Sequence, residues 1–89
     1  MFDVDWIETA LSRLANAWLR ADSTTRAAIT AASHEIDDLL KIDPAHAGES
    51  RDADKRILIA EPLAVTYVVD EDQEIVTVLD VVVRKPRRR

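Results

Sequence analysis

The sequence predicts an α+β domain in which a hairpin of two helices packs on one face of a small antiparallel sheet. Apolar residues recur at helical spacing over roughly residues 8–43, and at the alternating spacing of strands over residues 55–83. A chain of 89 residues has room for one core between two layers. Turn and cap signals then give the element order β-α-α-β-β-β.

The first elements are a short strand and a helix. In "FDVDWI" apolar residues alternate with acids, which is the period of a short edge strand. From about Glu8 the period becomes helical, and it is sustained for about four turns. The apolar stripe of this helix contains Ile7, Leu11, Leu14 and Trp18.

A second helix follows after a short link, so the two helices form an antiparallel hairpin. Asp22 or Ser23 is predicted to cap it, because a side-chain oxygen there can accept a hydrogen bond from an unpaired backbone N–H. The helix is expected to end at Asp43, since Pro44 disfavours helix in the residue before it. The residues predicted to pack on one sheet face are Leu11, Leu14, Trp18, Ile29, Ile36 and Leu39.

Three strands are predicted in the second half of the chain. A polar loop, residues 44–55, contains the only glycine, Gly48. The predicted strands are Arg56–Ala60, Leu63–Val69 and Glu74–Val83, separated by Glu61-Pro62 and by the turn Asp70–Gln73.

The last two predicted strands carry apolar residues on both faces, although two helices can cover only one face of the sheet. A crowded central sheet with high β-propensity is one explanation. The other is that the second face is a surface for a partner, since exposed apolar patches mark interaction sites. The partner would be a second copy of the chain or a different protein.

The composition excludes several kinds of site. The absence of cysteine excludes a disulfide framework, a thiolate zinc site and a cysteine nucleophile. A single glycine excludes phosphate-binding loops. We therefore expect no metal and no cofactor. The start of the sequence lacks the pattern of a signal peptide, and no apolar run spans a bilayer, so a cytoplasmic protein without membrane contact is expected.

Basic residues occur in two groups. The first is Arg51, Lys55 and Arg56, before the predicted sheet, and the second is the "RKPRRR" that follows it. The rest of the chain is acidic, because the final six residues hold five of the twelve bases. Depending on strand order, the two groups lie at the same end of the sheet or at opposite ends. Together they would form a cationic patch suited to phosphate. Apart, they would be a solvated loop and a tail.

Four stretches resemble the RelE/ParE toxin superfamily of type II toxin–antitoxin modules, whose members are often labelled plasmid stabilisation proteins. These stretches are "FDVDWIETAL", "EIDDLLKIDP", "GESRDADKRILI" and "PLAVTYVVDEDQEIVTVLDVVV". The resemblance assigns residues 1–85 to a toxin domain and residues 86–89 to a basic tail. It implies a cognate antitoxin that covers surface which the toxin cannot cover itself.

The resemblance also implies an activity. RelE-like members cut messenger RNA on the ribosome and ParE-like members inhibit DNA gyrase, so the expected mechanism is open between these two activities and the loss of both. For cleavage it implies catalytic roles for Arg56 and Arg51, and RNA-binding roles for Lys55, Arg84 and Lys85. The family's "RVxY"-like stretch is "AVTY" here, so Ala64 stands in place of the arginine. A non-enzymatic module that forms homo-oligomers through its second sheet face is the alternative.

Overall fold

Residues 1–84, the part of the chain that the computed structural model describes, form a five-stranded sheet with two long helices on one side. In chain order the elements are β1 (Asp3–Trp6), α1 (Glu8–Arg20), α2 (Ser23–Ile42), α3 (Pro44–Ala47), β2 (Glu49–Asp52), β3 (Lys55–Ala60), β4 (Leu63–Asp70) and β5 (Ile75–Val83). The strand order is β1-β5-β4-β3-β2. The predicted α+β class and the three predicted strands are confirmed.

The loop predicted over residues 44–55 is wrong in detail, because it contains a helical turn, α3, and a strand, β2. Both are short. All four residues of β2 are polar and exposed, so the strand shows no alternation of apolar residues. The partner strand β3 supplies the pairing, with Ser50 opposite Arg56. Short polar edge strands of this kind are set by their neighbours rather than by their own pattern.

The N-terminal strand is parallel to its neighbour, which makes the sheet mixed rather than purely antiparallel. Its four residues pair with Ile75–Val78, the first part of β5. The N–H of Ile7 then donates to the carbonyl of Val78, and the chain turns into α1. The second half of β5 therefore extends beyond the end of β1.

The caps of α2 follow the prediction. The carboxylate of Asp22 accepts a hydrogen bond from the backbone N–H of Thr25 at 2.8 Å. This hydrogen bond holds the pKa of Asp22 below its ordinary value, because it stabilises the charged form. The helix ends at Ile42, two residues before Pro44 begins α3.

The core lies between α2, the inner side of α1 and one face of the sheet. Its largest fully buried side chains are Tyr67, Ile29, Ile36, Leu40, Leu63, Val65, Val76, Val78 and Pro44. The predicted burial of Ile29 and Ile36 is confirmed, and Leu14 packs against this core. The prediction is wrong for Leu11, Trp18 and Leu39, which are 50%, 39% and 39% exposed.

For Leu11 and Trp18 the error arises from the rotation of α1 about its axis. The residues of α1 that contact the core are Ala10, Leu14 and Ala17, and Ala10 is the one that is fully buried. Small side chains let the helix axis approach the sheet closely. The larger stripe through Leu11 and Trp18 is therefore displaced toward the outer side of the hairpin.

Trp18→Ala is consequently expected to lower the free energy of unfolding by only about 1–2 kcal/mol, below the ~3–5 kcal/mol typical of a fully buried aromatic. The indole N–H donates to the hydroxyl of Thr30 at 3.3 Å, and the guanidinium of Arg26 lies 4.5 Å from the ring centroid. Urea denaturation measures the change, with the exposed Leu19→Ala as control. A loss above about 3 kcal/mol would show that Trp18 is a core residue after all.

Candidate functional site

Three of the predicted site residues lie at one end of the sheet. Lys55 and Arg56 begin β3, and Arg51 lies beside them on β2, between the pairs Ser50–Arg56 and Asp52–Lys55. Arg51 and Lys55 are exposed, whereas Arg56 is partly buried. The predicted clustering of these three residues is thus present in the fold.

Arg56 is engaged in holding the chain together. Its guanidinium donates to the carbonyl of Gly48 at 2.8 Å. Across the sheet it is paired with Tyr67, whose buried hydroxyl donates to the carbonyl of Pro44 at 2.7 Å. These two contacts tie α3 and the start of β2 to the strands behind them. Arg56 therefore has a structural role, whatever else it does.

The surroundings of this basic cluster are acidic. Val68 pairs with Lys55, and Asp70 and the turn before β5 lie just beyond it. The carboxylates at this end of the sheet include Asp52, Asp54, Asp70, Glu71, Asp72, Glu74 and, by the strand register, Asp3. Four of them, Asp54 and the three of Asp70–Asp72, line a shallow depression of about 350 Å3. Because carboxylates outnumber cations at this end of the sheet, it is unfavourable for a phosphate backbone.

Arg84 lies at the opposite end of the sheet. Val83 is paired with Leu63, and the N–H of Arg84 donates to the carbonyl of Pro62. Because β3 runs the length of the sheet between the two ends, Arg84 is roughly 16 Å from the first basic group along the strand direction. Its guanidinium pairs with Glu61 at 3.4 Å. Arg84, the one described residue of the second group, therefore lies apart from the first group. Lys85 lies outside the described residues.

The two histidines form no recognisable acid–base site. His46 lies in α3, where Nδ1 is 3.0 Å from the carboxylate of Asp43, and both side chains are exposed. His34 lies on the exposed side of α2. Across residues 1–84 we find no group of three or more His, Asp or Glu side chains arranged to hold a metal ion. Within the same range no helix is long and apolar enough to cross a membrane.

The second face of the sheet carries apolar side chains that the described helices do not cover. The strand registers and the alternation of burial place Ile57, Ile59, Ala64, Val68, Ile75 and Val82 on this face. Ile59 is 47% exposed and Val82 is 48% exposed. We refer to these six residues as the open face. Within residues 1–84 the sheet therefore has an uncovered apolar side, as predicted from the sequence.

Sequence reasoning missed a second apolar surface. Large side chains of α1 and α2 line a groove of about 540 Å3 on the outside of the hairpin, formed by Leu11, Leu14, Ala15, Trp18, Leu19, Ile29, Thr30 and Ser33. The signal was present in the sequence as the Leu11–Trp18 stripe, but periodicity alone does not tell which layer a stripe faces. We refer to this surface as the hairpin groove.

Comparison with known proteins gives matches among solved structures. No protein-family model and no curated protein sequence matches the chain. A chain of the RelBE2 toxin–antitoxin complex from Mycobacterium tuberculosis superposes with a TM-score of 0.73 at 19% identity, covering 93% of this chain and 91% of the other. One from the chromosomal ParDE system of P. aeruginosa reaches 0.75 at 16% identity, covering 96% and 98%. The chain has the RelE/ParE toxin fold.

The isolated E. coli RelE toxin also shares this RelE/ParE fold. It superposes with a TM-score of 0.64 at 19% identity over 98% of this chain and 88% of the toxin. Because the matched parts make up most of both chains in all three comparisons, the similarity extends to the whole domain rather than to one motif.

Proposed function

We propose that the chain is the toxin component of a type II toxin–antitoxin module, that it acts in the cytoplasm, and that a cognate antitoxin binds it. The observation that carries the proposal is the RelE/ParE fold over nearly the full length of both chains, with matches that include toxin–antitoxin complexes. A shared fold alone leaves function open. The apolar surfaces of this chain supply the second support.

The antitoxin is proposed to cover the open face. Its exposed apolar side chains belong to adjacent strands, so one partner segment can bury them together. Burial would supply most of the affinity, because the chain outside its last six residues is acidic and offers little general electrostatic attraction. The charged residues at the margins of the sheet would set the orientation of the partner.

For the toxic activity, the geometry favours binding to a target over cleavage of RNA. Cleavage needs a group that activates the 2′-hydroxyl and cations that stabilise the charge at the phosphate. Arg56 donates to Gly48, and Arg51 and Lys55 lie at an end of the sheet where carboxylates outnumber cations. Arg84, at the other end, pairs with Glu61. A ParE-like inhibitor of DNA gyrase is therefore preferred to a RelE-like nuclease.

Inducible expression of the chain in a bacterial host tests this proposal. The expected result is growth arrest that is relieved by coexpression of the small protein encoded next to the chain. Purified protein should inhibit DNA supercoiling by gyrase, and primer extension on cellular messages should reveal no new cleavage sites. Absence of growth arrest from a folded, expressed chain would overturn the toxin assignment. Ribosome-dependent cleavage would restore the nuclease mechanism.

The basic cluster provides the sharpest variants. Arg51→Ala and Lys55→Ala are expected to leave growth arrest unchanged, because both side chains are exposed and the proposed mechanism gives neither a role. Arg56→Ala is expected to lower the free energy of unfolding by about 1.5–3 kcal/mol, since it removes a charged donor from the Gly48 carbonyl. Growth curves and circular dichroism measure the two effects. Loss of toxicity in folded Arg51→Ala would show that this end of the sheet takes part in the toxic activity, and primer extension with the wild-type chain would then separate RNA cleavage from target binding.

A further inference from the structure

The edge of the sheet on the β1 side is half open. Because β1 pairs with β5 over Ile75–Val78 and the chain then turns into α1, the segment Leu79–Val83 extends past it. Residues 1–84 supply no strand next to this segment. Five residues of strand correspond to about 16 Å of unpaired edge. An edge of this length is a template for an added strand.

The direction of the backbone groups can be followed from Arg84. Its N–H donates inward, to the carbonyl of Pro62, and successive residues of a strand point their backbone groups to opposite sides. The N–H and carbonyl groups of Val83 and Val81 therefore face outward, toward the open edge. The N–H of Val81 already has an acceptor, because it donates a hydrogen bond to the carboxylate of the preceding residue, Asp80, at 2.8 Å.

Arg13 of α1 forms an ion pair with the same Asp80 carboxylate. Its guanidinium lies 3.2 Å from the Asp80 carboxylate, and both side chains are about half exposed. An ion pair this exposed contributes little to stability, because water and salt screen it. A backbone carbonyl of an incoming strand can therefore replace the Asp80 carboxylate as the hydrogen-bond acceptor of the Val81 N–H.

The end of the open edge leads into a pocket. A cavity of about 540 Å3 lies between the helices and the end of β5, and its apolar walls include Ala17, Ala28, Ile29, Pro62 and Val83. Arg20 and Arg84 also line it. Arg84 forms an ion pair with Glu61, and the carboxylate of Asp22 accepts the capping hydrogen bond of α2. Among the described residues no carboxylate lies within ion-pair distance of Arg20.

We infer that Leu79–Val83 and this pocket bind an extended segment of a protein partner, which adds a strand to the sheet, places an apolar side chain in the pocket and sets a carboxylate against Arg20 and Arg84. The apolar walls and the two guanidinium groups select this chemistry. The sequence after Arg84 adds four cations, so the chain's own tail has the wrong charge to be the occupant. If the proposed function holds, the segment belongs to the antitoxin.

Designed peptides test the inference without a natural partner. The probe is a fluorescein-labelled, threonine- and valine-alternating peptide that ends in valine followed by two glutamates, compared with the same peptide ending in two lysines. Fluorescence anisotropy is expected to show at least about tenfold tighter binding of the glutamate peptide, the effect of one to two charge-assisted hydrogen bonds. Hydrogen exchange should become slower at the amides of Val81 and Val83.

Matched variants locate the site. Arg20→Ala with Arg84→Ala should reduce the discrimination between the two peptides to less than about twofold, whereas Arg51→Ala with Lys55→Ala, at the other end of the sheet, should leave it unchanged. Asp80→Ala should tighten binding of both peptides by about two- to fivefold, because it uncovers the Val81 N–H at the loss of one exposed ion pair.

Three results would overturn the inference: equal binding of the two peptides, protection of β2 in place of the Leu79–Val83 edge, or a stable dimer in sedimentation whose Val81 and Val83 amides are already protected. The last would assign the edge to a second copy of the chain. None of these results depends on growth arrest, so failure here is separable from failure of the toxin assignment.

Discussion

Ile36→Ala is expected to lower the free energy of unfolding by about 3–4 kcal/mol, within the range measured for large-to-small changes at fully buried positions. Ile36 has no exposed surface and belongs to the central cluster between α2 and the sheet. Its neighbours come from both layers, so the cavity left by the missing atoms cannot close by movement of one side chain. In a domain of this size such a loss is a large part of the total stability.

Leu39→Ala is the matched control for this prediction. Leu39 lies on the same helix three residues later and was predicted from the sequence to be buried, but it is 39% exposed. Its replacement is expected to cost less than about 1.5 kcal/mol, since less apolar area returns to water and no closed cavity forms. Urea denaturation followed by circular dichroism compares the two variants. Equal losses would mean that the helix is rotated relative to the sheet.

This pair illustrates what sequence periodicity can and cannot give. The helical repeat places Ile29, Ile36 and Leu39 on one broad side of α2, and the two at the centre of that side are buried. The residue at its margin is not. The width of the buried stripe depends on how closely the neighbouring helix and the sheet approach, which is a property of tertiary packing and not of the repeat.

The rotation of α1 likewise depends on how closely the helix approaches the sheet. Its largest apolar residues predict an inward stripe, yet Ala10 is the residue in full contact with the sheet. A small residue permits a close approach, and this rotates Leu11 and Trp18 into the hairpin groove. If the largest side chains were buried first, α1 would instead be rotated so that Leu11 and Trp18 faced the sheet. The element boundaries are better predicted because they depend on local chemistry, as at Asp22, which accepts from Thr25.

The candidate site is harder to predict than the fold. The sequence identifies Arg51, Lys55 and Arg56 as neighbours because they are close along the chain. It does not show that Arg56 donates to Gly48, since this contact depends on β2, a strand without an apolar pattern. The sequence also does not decide at which end of the sheet Arg84 lies. That depends on the number and direction of the strands between the first basic group and Arg84.

Gly48→Ala is expected to lower the free energy of unfolding by about 3 kcal/mol or more, at the upper end of the range for overpacked positions. The backbone of Gly48 is extended, with φ −125°, so an alanine has no difficulty with the dihedral angles. The obstacle is space. An added Cβ would contact the carbonyl oxygen of Ile57 and would come within 2.7 Å of the Tyr67 hydroxyl.

Neither neighbour of Gly48 can move away easily. The Tyr67 hydroxyl is fixed by its hydrogen bond to Pro44, and Tyr67 is fully buried. The Ile57 carbonyl belongs to the backbone of β3, which is paired on both sides. The chain must therefore shift at β2, and a shift there also weakens the bond from Arg56 to the Gly48 carbonyl. Thermal and urea denaturation measure the loss, with the exposed Ser50→Ala as control.

A second substitution separates the two contacts. Tyr67→Phe removes the hydroxyl but leaves the Ile57 carbonyl in place, so combining it with Gly48→Ala is expected to recover less than about half of the loss caused by Gly48→Ala alone. Full recovery would show that the hydroxyl is the only obstacle and that β3 tolerates the new methyl group. A Gly48→Ala variant as stable as the wild type would contradict the close packing of α3 and β2 against the sheet, and with it the placement of Arg56.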